Sequence, residues 1–163
     1  MLIGATMLAS ASASASRAAE PGITVTFAPA VVSQMASYGE GERATLESAI
    51  DTALANALRG SPLPAGATIH VTVEEAAPSH PTRAQQMANP AMDPTWTHFL
   101  GGAALSAEVH DASGRVLSKA SHRYFPPTIT MGSVSLDPWA DARRAIDQFA
   151  AKVAAAVREL PRG

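Results

Sequence analysis

Apolar and polar residues change period several times along this chain, and those changes mark its elements. "ITVTF", Ile23 to Phe27, alternates β-branched and aromatic residues, which predicts a first strand ending at Pro29. From Glu42 to Arg59 the apolar residues Leu46, Ile50, Ala53, Leu54, Ala57 and Leu58 recur at three- and four-residue steps, the spacing of one helix face, and Gly60 ends the run. After the turn "SPLPAG", "ATIHVTVEE" sets Ile69, Val71 and Val73 against His70, Thr72 and Glu74, a half-buried strand. "AALSAEVHDASGRVLSKASHRYF" predicts a hairpin turning at Asp111 to Gly114. Pairing Val109 with Val116 sets Ala107 opposite Ser118 and Leu105 opposite Ala120, with Glu108 and His110 facing Leu117 and Arg115 on the other side. The last helix is expected to start with Asp137 as N-cap and Pro138 at its first position, and to bury Trp139, Ala142, Ile146, Phe149, Ala150, Val153, Val157 and Leu160.

The order is thus β-α-β-β-β-α, and two helices of this length most simply cover one face of a four-stranded sheet. The expected fold class is α+β, a two-layer sandwich. A crossover makes the first two strands parallel, and antiparallel steps follow. Three irregular segments then gather at one end of the sheet: Ala28 to Gly41, Ala76 to Gly102, and Pro126 to Leu136. The middle one is too long for an ordinary connection. Its prolines 78, 81, 90 and 94 stiffen it, Met87, Met92, Trp96, Phe99 and Leu100 are expected to bury surface, and Thr82 offers a cap for one helical turn. A lid over the open end of the core and a ligand site are the two roles such a segment would serve.

Composition bounds the rest. With 163 residues, 47% hydrophobic and 16% charged, the chain is expected to form one domain over residues 20–163, neither disordered nor membrane-embedded. Residues 1–19 read as a signal peptide: a short apolar run from Leu2 to Leu8, then small residues in A-x-A spacing, with no Lys or Arg ahead of the run. The expected location is periplasmic or secreted. The absence of cysteine rules out a disulfide framework and a lipid anchor through that residue. A net charge of −2 and scattered cations give no nucleic-acid footprint.

Candidate chemistry is sparse. "GEGERA", Gly39 to Ala44, fits a dinucleotide-loop pattern, but Glu40 and Glu42 place carboxylates where a pyrophosphate needs bare amides, so it reads as a charged helix entry. The five histidines, at 70, 80, 98, 110 and 122, lack metal-site spacing, although His70 and His110 share the polar sheet face and His80 and His98 are within reach of each other. Adjacent Glu74 and Glu75 point to opposite faces of a regular strand and so cannot serve one substrate together. Asp137 and Asp141 are better explained as helix-start chemistry. No catalytic residue, metal ligand or cofactor is proposed.

"HPTRAQQMANPAMDP", "GGAALSAEVHDASGR" and "WADARRAIDQFAAKV" together resemble a group of predicted secreted bacterial proteins of unknown function, over about Tyr38 to Ala156. Their shared pattern is a Pro-Thr-x-x-Gln loop, a Gly-Gly-Ala strand entry and a Trp-x-Asp-Ala helix start. The strand order also resembles envelope-associated lipoprotein domains.

The expected function is that of a soluble extracytoplasmic binding or envelope-accessory domain, with His80, Arg83, Gln85, Gln86, Trp96 and His98 as contacts for a protein or small-molecule partner. A hydrolase or transferase assembled from the same loops is the competing class, and a histidine-based metal carrier the third.

Overall fold

The computed structural model describes residues 22–129 and 135–161. The signal-peptide reading and the centre of the Pro126 to Leu136 segment lie outside them. Four strands form one open mixed sheet in the order β1-β2-β3-β4: β1 (Gly22–Phe27), β2 (Thr68–Ala77), β3 (Gly102–His110) and β4 (Val116–Tyr124). β1 runs parallel to β2, and the later pairs are antiparallel. This is the expected α+β arrangement.

Among the described residues four helices accompany the sheet: α1 (Pro29–Tyr38), α2 (Glu42–Leu58), α3 (Arg83–Ala88) and α4 (Ala140–Arg158). α2 and α4 supply the second layer, burying Leu46, Ile50 and Leu54 from one and Ile146, Phe149 and Val153 from the other against Ile69, Val71, Leu105 and Val109. α4 buries the predicted stripe down to Val157, with Leu160 half-buried. Alanines at 142, 145, 150 and 154 let it lie close to its neighbours.

Several expectations need correction. Ala28 to Gly41 is not irregular: Pro29 opens α1, where its fixed φ and missing N–H suit a first helical position, and Val31 and Met35, one turn apart, enter the core. A ten-residue helix with only two buried anchors leaves little periodicity to read. α4 begins at Ala140 rather than Pro138, because Asp137 Oδ1 accepts the Trp139 amide at 3.0 Å and closes a separate turn ahead of the helix. The hairpin register also differs. Ala107 faces Ala120, Val109 faces Ser118 and His110 faces Val116, so Leu117 is an extra residue on β4. Asp111 drives the shift: its carboxylate accepts the amides of Ser113 and Arg115 and the Ser113 hydroxyl, making a tight loop.

A second bulge lies between Val73 and Glu75 on β2. It breaks the alternation that would separate Glu74 from Glu75, and both are exposed. Glu74 accepts the Ser106 hydroxyl at 2.7 Å, while Glu75 receives both Nε and Nη2 of Arg123. The two carboxylates thus serve separate partners on β3 and β4, and the guanidinium holds the Glu75 carboxyl below its ordinary range.

Candidate functional site

The end of β1, the end of β2, the start of β3 and the end of β4 meet at one end of the sheet, as the topology requires. Here α1, α3 and the 78–101 segment pack together. Buried polar groups do much to order the segment. Met87 and Trp96 are 74% and 79% exposed, whereas Ser79, His80 and Thr82 are buried. That overturns the expectation that Met87, Trp96 and Leu100 bury surface, while Met92 and Phe99 are half-buried. Buried backbone groups must find partners, and these three side chains and their amides provide them.

Thr82 is the centre of the network. Its hydroxyl donates to the Tyr38 carbonyl at 2.5 Å and accepts the Gln85 amide at 3.3 Å, while Gln85 Oε1 accepts the Thr82 amide at 3.0 Å. The Pro-Thr-x-x-Gln pattern is therefore a capping box that starts α3 and ties it to the end of α1. Gln86 Nε2 donates to the Pro81 carbonyl at 2.9 Å. Ser79 donates its amide and hydroxyl to the Pro138 carbonyl and accepts the Phe99 amide, joining the segment to the entry of α4.

The Gly-Gly-Ala pattern has an equally local cause. A Cβ at Gly101 would stand 2.6 Å from the Ser79 nitrogen, and Gly102 has φ +151° with Phe125 packed against it, so neither position accepts a side chain. The Trp-x-Asp-Ala pattern places Trp139, 1% exposed, with its indole N–H donating to Glu42 Oε2 and its ring meeting Tyr38 edge-on at 5.6 Å. All three patterns meet in one packed joint. Only Thr82 had a readable signal beforehand, the capping pattern; Tyr38, Glu42 and Ser79 carry no local motif that marks them.

Above the joint, His80 is 2% exposed, and its Nδ1–H donates to the Pro94 carbonyl at 3.0 Å. His98 packs against it with ring centroids 4.6 Å apart, as expected. Pro94 belongs to a turn in which Asp93 accepts the amides of Thr95, Trp96 and Thr97. Trp96 rises from that turn into solvent.

The six expected contact residues thus divide. His80, Gln85 and Gln86 are spent on internal hydrogen bonds, while Arg83 and Trp96 are exposed and His98 is half-buried. No ion pair among the described residues involves Arg83.

The hydroxyls of Ser79 and Thr82 donate to backbone carbonyls, and among the described residues neither is paired with His80. The other histidine pair lies on the open sheet face: His70 and His110 have ring centroids 4.7 Å apart, with His70 on Thr68 and His110 on Glu108, whose other oxygen takes Lys119 at 2.6 Å. Among the described residues no group of three histidine, aspartate or glutamate side chains is arranged to hold a metal. Among them, too, no helix is long and apolar enough to cross a membrane.

A cleft of about 920 Å³ lies at the opposite end of the sheet, between the end of α2, the 62–67 turn and the starts of β1 and β2. The chain matches no protein-family model, no curated protein and no solved structure.

Proposed function

We propose that the protein is a binding or accessory domain of an extracytoplasmic compartment, engaging its partner through the turn that carries Trp96. One observation carries this reading: a tryptophan 79% exposed stands on a turn whose base is held by a buried histidine. Exposed large aromatics on rigid supports are the residues that anchor interfaces, because they bury much area and lose little side-chain freedom. Arg83 and His98 add long and planar polar groups from the same segment, suited to hydrogen bonding and stacking. The compartment rests on the signal-like residues 1–19 and on the resemblance to secreted bacterial proteins.

The test is site-specific photo-crosslinking in cells of the source organism, with a photoreactive residue at position 96 and a control at Val116, an exposed residue of β4. Discrete adducts from position 96 in the periplasmic or secreted fraction, lost when Arg83 becomes alanine, are the expected result. Adducts no different from those at Val116, or full-length chain confined to the cytoplasm, would refute it.

A further inference from the structure

The open sheet has two edges, and they are not alike. On β4, Lys119 and Arg123 project from the strand, and Lys152 of α4 donates to the Ser121 carbonyl, so charge and a capping lysine guard that edge. On β1, Gly22–Phe27 contains no charged residue and no proline. Its core-facing side chains, Ile23, Val25 and Phe27, pack against the core yet remain half-exposed, because no strand among the described residues pairs beyond β1. An unguarded edge of this kind invites another strand.

The sequence of β1 identifies which strand. "ITVTF" is symmetric in residue class about Val25. Set antiparallel to a second copy, Val25 faces Val25, Thr24 faces Thr26, and Ile23 faces Phe27, so apolar meets apolar on the helix side and hydroxyl meets hydroxyl on the other. Charge bears on the pairing as well. Arg43 of α2 stacks over Phe27 at 5.0 Å and pairs with Glu47 of its own helix at 2.9 Å, and Asp51, one turn beyond Glu47, lines the cleft shared with Gly22 and Ile23. Bringing Phe27 beside the Ile23 of the other copy carries Arg43 toward the other Asp51, twice by symmetry. Two short strands alone fall below the roughly 1,200 Å² of a stable interface, and the flanking α2 residues extend the contact.

We propose that two copies of this chain associate through β1, antiparallel about Val25, into one continuous eight-stranded sheet with two-fold symmetry. The contact is the same patch on both copies, so it closes at two. It places the two Trp96 turns at opposite ends of the shared sheet, and it does not depend on what those turns bind.

The chain contains no cysteine, so a single engineered thiol reports geometry directly. Facing residues of an antiparallel pair have Cα atoms about 4.5–5.5 Å apart, within disulfide reach. Under mild oxidation the full chain with Val25→Cys is expected to form a covalent dimer, while Ser121→Cys on β4 does not. In sedimentation experiments Arg43→Glu or Asp51→Arg alone raises the dimer dissociation constant about tenfold or more, and the double exchange restores it to within about threefold, the signature of a direct charge pair. Circular dichroism confirms that each variant is folded. Wild-type chain that stays monomeric at about 100 μM, a millimolar-or-weaker contact by affinity arithmetic, overturns the proposal. So does Val25→Cys crosslinking no faster than Ser121→Cys, or a double exchange no better than the single changes.

Discussion

The indole nitrogen of Trp139 donates to the carboxylate of Glu42, 97 residues earlier in the chain, and so joins the start of α4 to the start of α2. A buried N–H stripped of its acceptor costs about 1–3 kcal/mol, because water cannot reach it. Glu42→Ala is therefore expected to destabilise the fold by about that much, while Glu42→Gln, which keeps an acceptor, loses less. Urea unfolding measures both. Equal losses from the two variants would mean that the carboxylate acts on the helix end and not on the indole.

Gly101→Ala places a methyl against the Ser79 backbone, which cannot swing away as a flexible side chain would. Overpacking of this kind costs about 1–3 kcal/mol. The expected outcome is a lower melting temperature together with faster amide exchange at Phe99, whose N–H bonds to the Ser79 carbonyl. Unchanged exchange at Phe99 would contradict the contact.

Thr82 and Trp96 should separate fold from binding. Thr82→Ala removes the α3 cap and the donor to the Tyr38 carbonyl, an expected loss of about 1–2 kcal/mol. Trp96→Ala removes an exposed ring and should change stability by no more than about 0.5 kcal/mol. Thermal unfolding of the pair checks this; a large loss from Trp96→Ala would make it a packing residue instead of a contact.

Asp111 gives a pH signature. Hydrogen bonding by the Ser113 hydroxyl and by the Ser113 and Arg115 amides, aided by the Arg115 charge, lowers its carboxyl from 3.8 to about 2. A depressed folded-state value means stabilisation that is complete above the unfolded value near 4 and is lost as pH falls toward 2. Carboxyl-detected NMR should place the Asp111 midpoint near 2, and Ser113→Ala should raise it. A midpoint near 4 in the native protein would remove Asp111 as the cause of the hairpin register.

Much of the fold was legible from period alone. The two long helices and four strands carry dense, regular apolar patterns, and their order constrains the topology enough to predict which loops meet. Strand parity left His70 and His110 free to share a face and the long loop left His80 and His98 free to approach, and the structure brings both pairs together. What failed was local geometry that needs neighbours: α1, with two anchors in ten residues; the β3–β4 register, shifted by the Asp111 loop; and Glu74 beside Glu75, brought to the same exposed side by a bulge.

The candidate site was harder to read for a related reason. Residue type advertises capacity to bond, not where that capacity is used. Gln85 and Gln86 look like surface contacts until Thr82 and Pro81 take up their amide groups, and Trp96 looks like core until its turn is seen to be held from below by His80. The chain's own pattern determined the elements, their order and the end of the sheet where loops gather, since backbone period and chain direction are local properties. Only the tertiary structure decided which of the gathered side chains face inward and which face solvent, because that depends on backbone donors and acceptors contributed by residues as distant as Tyr38 and Pro138.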